Sequence, residues 1–238
     1  MMFLWGTLVN GLLIIVGTLL GRLLHRIPEG MKSTVMHGIG LSVMVLGLQM
    51  GLKSQNFLIV ILSLVLGGVL GELWALDDKL NKLGLWLEKK IGSNGKGSIS
   101  QGFVTATLIF VIGAMAIIGA LDSGIRGDHD VLYTKAIIDG FTSIILTTTL
   151  GIGVIFSAIP VMLYQGTIAL FATQIDRVVP GVLMDQFIVE MTATGGVMIF
   201  AIGLNLAGLT KIKVANLLPG ILITAATVAA IYFYHQLT

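Results

Sequence analysis

Windows of about twenty predominantly apolar residues recur along the chain, each long enough to cross a bilayer as a helix. We place eight spans, at residues 3–24, 33–52, 56–76, 101–122, 136–158, 160–175, 187–209 and 214–234. The sixth window is short and begins at Pro160, which allows a tilted, broken or half-membrane helix there. Because a backbone in lipid must satisfy its own hydrogen bonds, the pattern predicts an all-α polytopic membrane protein with about eight transmembrane helices.

The hydrophobic period changes between the third and fourth spans. Leucine and isoleucine recur there at helical spacing among lysines and aspartates, at Leu76, Leu80, Leu83, Leu87 and Ile91. This pattern predicts an amphipathic helix at the membrane interface, and the Ser, Asn, Gly and Lys residues at 93–98 predict a flexible linker after it.

The composition agrees with a lipid environment. Hydrophobic residues are 55% of the 238-residue chain and charged residues 11%, too few to cover the surface of a soluble domain. The net charge of +2 is small and scattered over loops, so we expect no nucleic-acid partner. The chain lacks cysteine and the common hydrolase, metalloprotease and P-loop motifs. We therefore predict no enzyme activity, no cofactor and no metal site.

The positions of the basic residues predict the topology. With eight spans and an outer N-terminus, ten of the 14 lysine and arginine residues fall in inner loops. Because basic residues near span ends prefer the cytoplasmic side, both termini should face outward and the segment 77–100 should face the cytoplasm.

Weak self-similarity links the two ends of the chain. Val9-Asn10-Gly11 matches Tyr164-Gln165-Gly166 at an offset of 155, and residues 40–49 match residues 196–205 at an offset of 156. An inverted repeat of spans 1–3 and 6–8 would explain both matches, whereas chance similarity among glycine-rich helices is the alternative. The repeat interpretation divides the single integral membrane domain 1–238 into a first repeat at 1–76, an amphipathic helix and linker at 77–100, two central spans at 101–158 and a second repeat at 159–238.

Four amide side chains within the spans are candidates for substrate binding or gating: Asn10, Gln49, Gln165 and Asn205. Helix rise places the first two in the outer part of their spans and the last two in the inner part. One interpretation is an outer gate of Asn10 with Gln49 and an inner gate of Gln165 with Asn205. The other is a set of interhelical hydrogen bonds, each contributing up to roughly 2 kcal/mol.

Four ionisable residues are candidates for ion coupling. Glu190, near the outer end of span seven, precedes a stretch rich in Gly and Thr, and His37 can titrate near neutral pH. Asp122 and Asp139 lie at the outer ends of spans four and five, where they can attract a cation. Each of the four can instead be an ordinary helix-end residue at the interface. The hydroxyls of span five either line a pore or bond back to their own helix: Thr142, Ser143, Thr147, Thr148 and Thr149.

Three GxxxG spacings predict close helix contacts, at Gly17 and Gly21, Gly47 and Gly51, and Gly67 and Gly71. Such faces also allow a homo-oligomer. Membrane lipid is the expected environment of the whole chain.

Seven segments form a distinctive set of motifs: residues 6–10, 102–108, 113–117, 132–135, 139–141, 151–153 and 163–166. Together they resemble the bacterial YqgA/YdfK-like family of inner-membrane proteins, a family built on a domain of unknown function and often labelled as transport proteins. The resemblance implies a multi-pass protein of the bacterial cytoplasmic membrane, and it carries over no substrate or catalytic residues. The leading hypothesis is a secondary transporter or permease for a small solute or ion. The alternative is a non-transporting membrane scaffold or sensor that acts through protein partners.

Overall fold

The computed structural model describes residues 2–23, 29–91 and 98–237, which form ten α-helices, three short 3-10 turns and no strand within these ranges. The predicted all-α class is therefore confirmed. The predicted linker at 93–98 lies outside the described residues except for Ser98. The helices are α1 (Trp5–Leu23), α2 (Glu29–Gly51), α3 (Phe57–Leu73), α4 (Leu76–Ile91), α5 (Ser98–Val111), α6 (Ala114–Ile125), α7 (Asp130–Leu150), α8 (Ala158–Val178), α9 (Gly181–Leu206) and α10 (Pro219–Leu237).

Six helical segments are each long and apolar enough to cross a membrane, and the count rises to eight when two bent helix pairs are included. The bent pairs are α3 with α4, at 57°, and α5 with α6, at 63°. The helix α4 coincides with the predicted amphipathic segment, which is thereby confirmed as a helix.

The break falls in the fourth predicted span and not in the sixth. The sixth span is the continuous 21-residue helix α8, so of the alternatives left open there it is neither broken nor too short to cross. Pro160 lies in the first turn of α8, where a missing N–H costs no helical hydrogen bond. The fourth span is interrupted at Ile112-Gly113, between α5 and α6.

The fifth span begins and ends earlier than predicted. Helix α7 starts at Asp130 and stops at Leu150, where Gly151 has a positive φ of 81° before the 3-10 turn Ile152–Ser157. The predicted span began after Lys135 because a charged residue lowers the hydropathy of any window that includes it. As a result, both Lys135 and Asp139 lie within the helix, with Asp139 the tenth of its 21 residues.

The chain forms two compact units. Unit 1 comprises Met1–Val35, Leu80–Val111 and Met115–Asp176. In it, α1 and α7 pack closely because Gly17 lies against Gly140 and Gly21 against Ile144. Helix α8 runs antiparallel to α1, with Met162 against Gly11, while α5 packs on the 3-10 turn Ile152–Ser157.

Unit 2 comprises Met36–Lys79, Ile112–Ala114 and Arg177–Thr238. Helix α2 runs antiparallel to α9, and α3 runs antiparallel to α10. The close contacts are Gly40 with Gly203, Gly47 with Gly196, and Gly67 with Gly220. All three predicted GxxxG faces therefore pack against helices of the same chain, and a homo-oligomer, which stays a prediction, would have to use other faces.

The directions of the packed helices favour eight crossings. Helices α1 and α7 run the same way, since Gly6 lies against Leu132 and Gly21 against Ile144. Because consecutive crossings alternate in direction, an odd number must separate these two helices. Helix α2 is one such crossing. The number stays odd only if α3 and the bent pair of α5 and α6 both cross the membrane or if neither does. Helix α3 packs along the candidate span α10 from Ser63 to Gly71, which favours crossing by both.

Candidate functional site

Four polar side chains meet in the interior of unit 1, and we call Asn10, Lys135, Asp139 and Gln165 the amide–ion-pair cluster. The Asn10 Nδ2 atom donates to Gln165 Oε1 at 3.3 Å, and Lys135 Nζ donates to Asp139 Oδ2 at 2.6 Å. The Asn10 side chain also lies close to the Asp139 carboxylate, which places the two pairs side by side. Asn10 and Gln165 are fully buried, and the two charged residues are 6% exposed or less. Three of the four were predicted as site residues.

The buried ion pair is the unusual element of this cluster. Lys135 and Asp139 are one helical turn apart on α7, and the helices that pack on α7 offer little further charge. Helix α5 carries no charged residue, and α1 carries only Arg22, in its last turn. The Lys135 ammonium lies 6.0 Å from the centre of the Phe110 ring, within cation–π range. Charges inside a membrane are costly and usually mark a solute or ion pathway.

Several polar atoms around the cluster have no hydrogen-bond partner among the described residues. Asn10 Oδ1 and Gln165 Nε2 are left open by the amide pair, and the buried hydroxyl of Thr7, one turn before Asn10, is open as well. Buried polar groups in folded proteins are nearly always paired, so open ones require an explanation. Exchanging the oxygen and nitrogen of both amides would still leave one acceptor and one donor open.

The hydroxyls of the fifth span divide into two groups. Thr142, Thr148 and Thr149 donate to carbonyls of their own helix, as the ordinary interpretation predicts. Ser143 and Thr147 are buried, and their hydroxyls have no partner within the described ranges. They follow Asp139 at four-residue spacing, so Lys135, Asp139, Ser143 and Thr147 form one buried polar stripe along α7.

Glu190 has a well-defined structural environment in unit 2. Its carboxylate accepts hydrogen bonds from the Ser54 hydroxyl at 2.6 Å and from the backbone N–H groups of Gln55 and Asn56 at 2.8 and 3.0 Å. These donors immediately precede α3, so the negative charge lies at the N-terminus of that helix, where it is stabilising. An ion-coupling role for Glu190 stays a prediction, although the geometry gives the residue a structural role.

The other ionisable candidates lie outside the amide–ion-pair cluster. Asp122, in the last turn of α6, forms an ion pair at 3.4 Å with Arg126 just after that helix, and the Arg126 side chain is 73% exposed. His37 is exposed on α2. Their proposed roles in ion coupling stay predictions.

The amides do not have the partners that the two-gate hypothesis predicted. Asn10 bonds Gln165, so these two residues lie at one depth and not at opposite ends of the membrane. The Asn205 side chain bonds Thr210 and the backbone of Ile212, which fixes the turn after α9. Gln49 is exposed on α2. Helical rise alone gave the wrong relative depths for Asn10 and Gln165, because each lies well inside its helix. The inverted repeat is not confirmed.

Lys135 is the member of the site that sequence reasoning missed. The predicted fifth span begins at residue 136, which places Lys135 in the preceding loop and outside the helix. The signal that could have found it is its spacing of four residues from Asp139, which places opposite charges on one face of a helix. Such a spacing beside an apolar window indicates that the helix extends outward to include the lysine.

Polar groups in unit 2 are paired more completely. The Thr224 hydroxyl lies 2.9 Å from Ser63 Oγ, 2.9 Å from the Gly220 carbonyl and 3.2 Å from Thr194 Oγ1. At another point, Asn216 bonds both the Glu72 carboxylate and the backbone N–H of Asp77. Glu72 also pairs with Lys213 at 3.0 Å, and this contact raises the pKa of the Lys213 ammonium above its usual value.

Comparison with known proteins identifies relatives over nearly the whole chain. The family described as "Protein of unknown function (DUF554)" matches residues 5–229. "Uncharacterized membrane protein YdfK" of Bacillus subtilis (strain 168) is 31% identical over 235 residues, which cover 97% of this chain and 98% of that protein. "Uncharacterized protein YqgA" of Escherichia coli (strain K12) is 29% identical over 230 residues, covering 94% and 96%. No solved structure matches. The apolar helices and these matches agree, and the chain is a membrane protein that belongs to the DUF554 family.

Proposed function

We propose that this protein is a secondary transporter or permease, and not an enzyme, for a small solute or ion, with the amide–ion-pair cluster of unit 1 as its transport site. The observation that carries the proposal is the buried pair of Lys135 and Asp139 beside open amide atoms. Asp139 lies near the middle of α7, Gln165 is the eighth of 21 residues in α8, and Asn10 is the sixth of 19 in α1. The cluster therefore lies well away from the helix ends. Transporters typically bind their substrates at such a depth, near the middle of the membrane.

The energetics support a functional role over a purely structural one. A buried ion pair contributes little to stability, because desolvation offsets its Coulomb attraction. An apolar pair would hold α1, α7 and α8 together at least as well. A transport site accounts for the buried charges, because Lys135 and Asp139 can separate from each other and bind a polar solute instead.

Helix geometry adds support from unit 2. The contact of Gly40 with Gly203 has a counterpart in Gly47 with Gly196 when residues are related by an offset of 156. An offset of 157 likewise relates the contact of Gly67 with Gly220 to that of Ser63 with Thr224. Any antiparallel helix pair has such reciprocal positions, so the support for a repeat is that glycine occupies all four of them in the contact of α2 with α9. An inverted repeat of α2–α3 and α9–α10 is part of the proposal.

We further propose the bacterial cytoplasmic membrane as the location. The relatives come from two bacteria, and a polytopic helical chain differs from the β-barrels of outer membranes. Lipid then surrounds the protein and contacts the apolar faces of its helices, such as Leu12 and Phe141, which are 59% and 66% exposed.

A flux experiment tests the function. Purified protein in liposomes would be assayed for uptake of Na⁺, K⁺, chloride, phosphate, glucose, glycine, L-alanine and methylamine, each as a radioactive or fluorescent tracer. We expect at least one solute to enter about ten-fold faster than into protein-free liposomes, and Asp139→Asn to remove that flux.

Glu190→Gln is the matched carboxylate variant for this assay, and it should retain the flux. Loss of flux or of its ion dependence in Glu190→Gln alone would move the site to unit 2 and restore the ion-coupling role predicted for that residue. If no solute in the panel crosses faster than in protein-free liposomes, transport gives way to the scaffold or sensor function.

A further inference from the structure

The chemistry of the amide–ion-pair cluster identifies the class of solute, and this inference rests on the proposed transport function. We propose that the cluster binds a small zwitterion that carries an N–H-bearing ammonium and a carboxylate, such as a free amino acid. The Lys135–Asp139 pair occupies the site in the absence of solute, and the solute opens that pair by offering each side chain a new partner.

Charge balance is the first reason. The site holds one ammonium, on Lys135, and one carboxylate, on Asp139, at 2.6 Å. A lone cation or anion would give this interior an uncompensated charge, which is strongly unfavourable in a low-dielectric environment. A zwitterion adds no net charge. It replaces one ion pair by two, Lys135 with the solute carboxylate and Asp139 with the solute ammonium.

The open amide atoms are the second reason. Asn10 Oδ1 is an open acceptor and Gln165 Nε2 an open donor among the described residues, and both residues are fully buried. The acceptor suits the ammonium of a zwitterion, and the donor suits its carboxylate. The Asn10 side chain lies close to Asp139, so one amide stands beside the negative charge of the cluster. The solute thus finds two charged and two amide partners in one cluster.

The surrounding helices indicate a small solute. Gly11 lies directly against the Met162 thioether, and Gly166 lies near Leu4 and Thr7. The two glycines follow Asn10 and Gln165 in sequence, so side chains of the facing helix fill the space beside the amides. The cluster is almost fully buried, and a solute must displace these side chains or separate the helices to enter. Glycine and L-alanine are the zwitterions that demand the least separation.

Binding to the full-length protein in lipid nanodiscs tests the proposal. Equilibrium dialysis with radioactive glycine would be compared with acetate, which supplies only the carboxylate, and with methylamine, which supplies only the ammonium. We expect glycine to bind at least about ten-fold more tightly than either fragment. Lys135→Met and Asp139→Asn should each weaken glycine binding by about ten-fold or more.

Two further variants keep the test decisive. Should either single variant fail to fold, the double variant Lys135→Met with Asp139→Asn leaves no unpaired charge, and it should fold yet bind no glycine. Removal of the exposed pair in Glu72→Gln with Lys213→Met should leave glycine binding unchanged, since those residues are on the surface of unit 2.

Three results would overturn the zwitterion proposal: glycine and alanine fail to bind, either fragment binds as tightly as glycine, or the double variant binds glycine like the native chain. These failures are separable from failure of transport. Flux of another solute that depends on Asp139 would leave the proposed function in place and change only the class of solute.

Discussion

The two compact units bury polar side chains in different ways. In unit 2, the Thr224 hydroxyl joins Ser63 and Thr194, and both carboxylate oxygens of Glu190 accept hydrogen bonds. In unit 1, an ion pair and an amide pair are buried together, while Asn10 and Gln165 each keep an open polar atom within the described residues.

This difference separates groups that hold helices together from groups that are available to a solute. A hydroxyl with a partner contributes a modest interhelical hydrogen bond and needs nothing else. An open donor or acceptor beside buried charges carries a desolvation cost that the folded chain itself does not recover. Such a cost is expected where a ligand supplies the missing partner, and burial alone would not have distinguished the two units.

The largest effect should follow removal of one charge from unit 1. Lys135→Met leaves the Asp139 carboxylate buried without its ammonium, and breaking a buried pair in this way costs about 3–5 kcal/mol. Thermal unfolding in detergent would show a markedly lowered midpoint. The double variant Lys135→Met with Asp139→Asn should recover most of that loss, because it buries no uncompensated charge.

Near-native stability of Lys135→Met would contradict this expectation, since it would mean that the Asp139 carboxylate is protonated or reached by water or a counter-charge in the variant. Asp139→Asn alone should likewise be less stable than the double variant. The comparison of the three proteins separates the cost of an unpaired charge from the small net contribution of the pair itself.

A smaller effect should distinguish a paired from an open hydroxyl. Thr224→Val removes a hydroxyl that lies within bonding distance of Ser63, Gly220 and Thr194, and we expect a loss of about 1–2 kcal/mol. Thr7→Val makes the same change at an equally buried hydroxyl without a partner in the described chain, and stability should change by less than about 0.5 kcal/mol. Equal losses in chemical unfolding would mean that the two units do not differ in the way described above.

Much of the fold was predictable because hydropathy and length determine membrane helices locally. The helical class, the approximate number of spans and the helix α4 follow from windows of fewer than thirty residues. Hydropathy windows gave the wrong start for the helix at Lys135. This charged residue lies inside α7 because it pairs with Asp139 one turn away. The windows also started the sixth span too late, at Pro160, which lies in the first turn of α8 without breaking that helix.

The site was predictable only in part. Asn10, Gln165 and Asp139 stood out as polar residues in apolar spans, but their partners depend on helix packing. Asn10 and Gln165 are 155 residues apart and meet because α8 returns antiparallel to α1. Helix rise gives the depth of a residue in an isolated span, and it does not tell which neighbouring helix that residue contacts.

The smallest effect is expected at Gln49, the amide that the two-gate hypothesis paired with Asn10. Gln49 is exposed on α2, so Gln49→Leu removes no buried hydrogen bond. Both stability and flux should stay within experimental error of the native chain, with a change in stability below about 0.5 kcal/mol. Gln165→Leu makes the same substitution at a fully buried amide that bonds Asn10, and it should abolish flux.

Liposome uptake of whichever solute the panel identifies compares the two variants directly. A selective loss of flux in Gln49→Leu would show that an exposed amide acts in transport, and the outer gate would then have to be reconsidered. If only Gln165→Leu fails, the buried amide that bonds Asn10 is the one that transport requires.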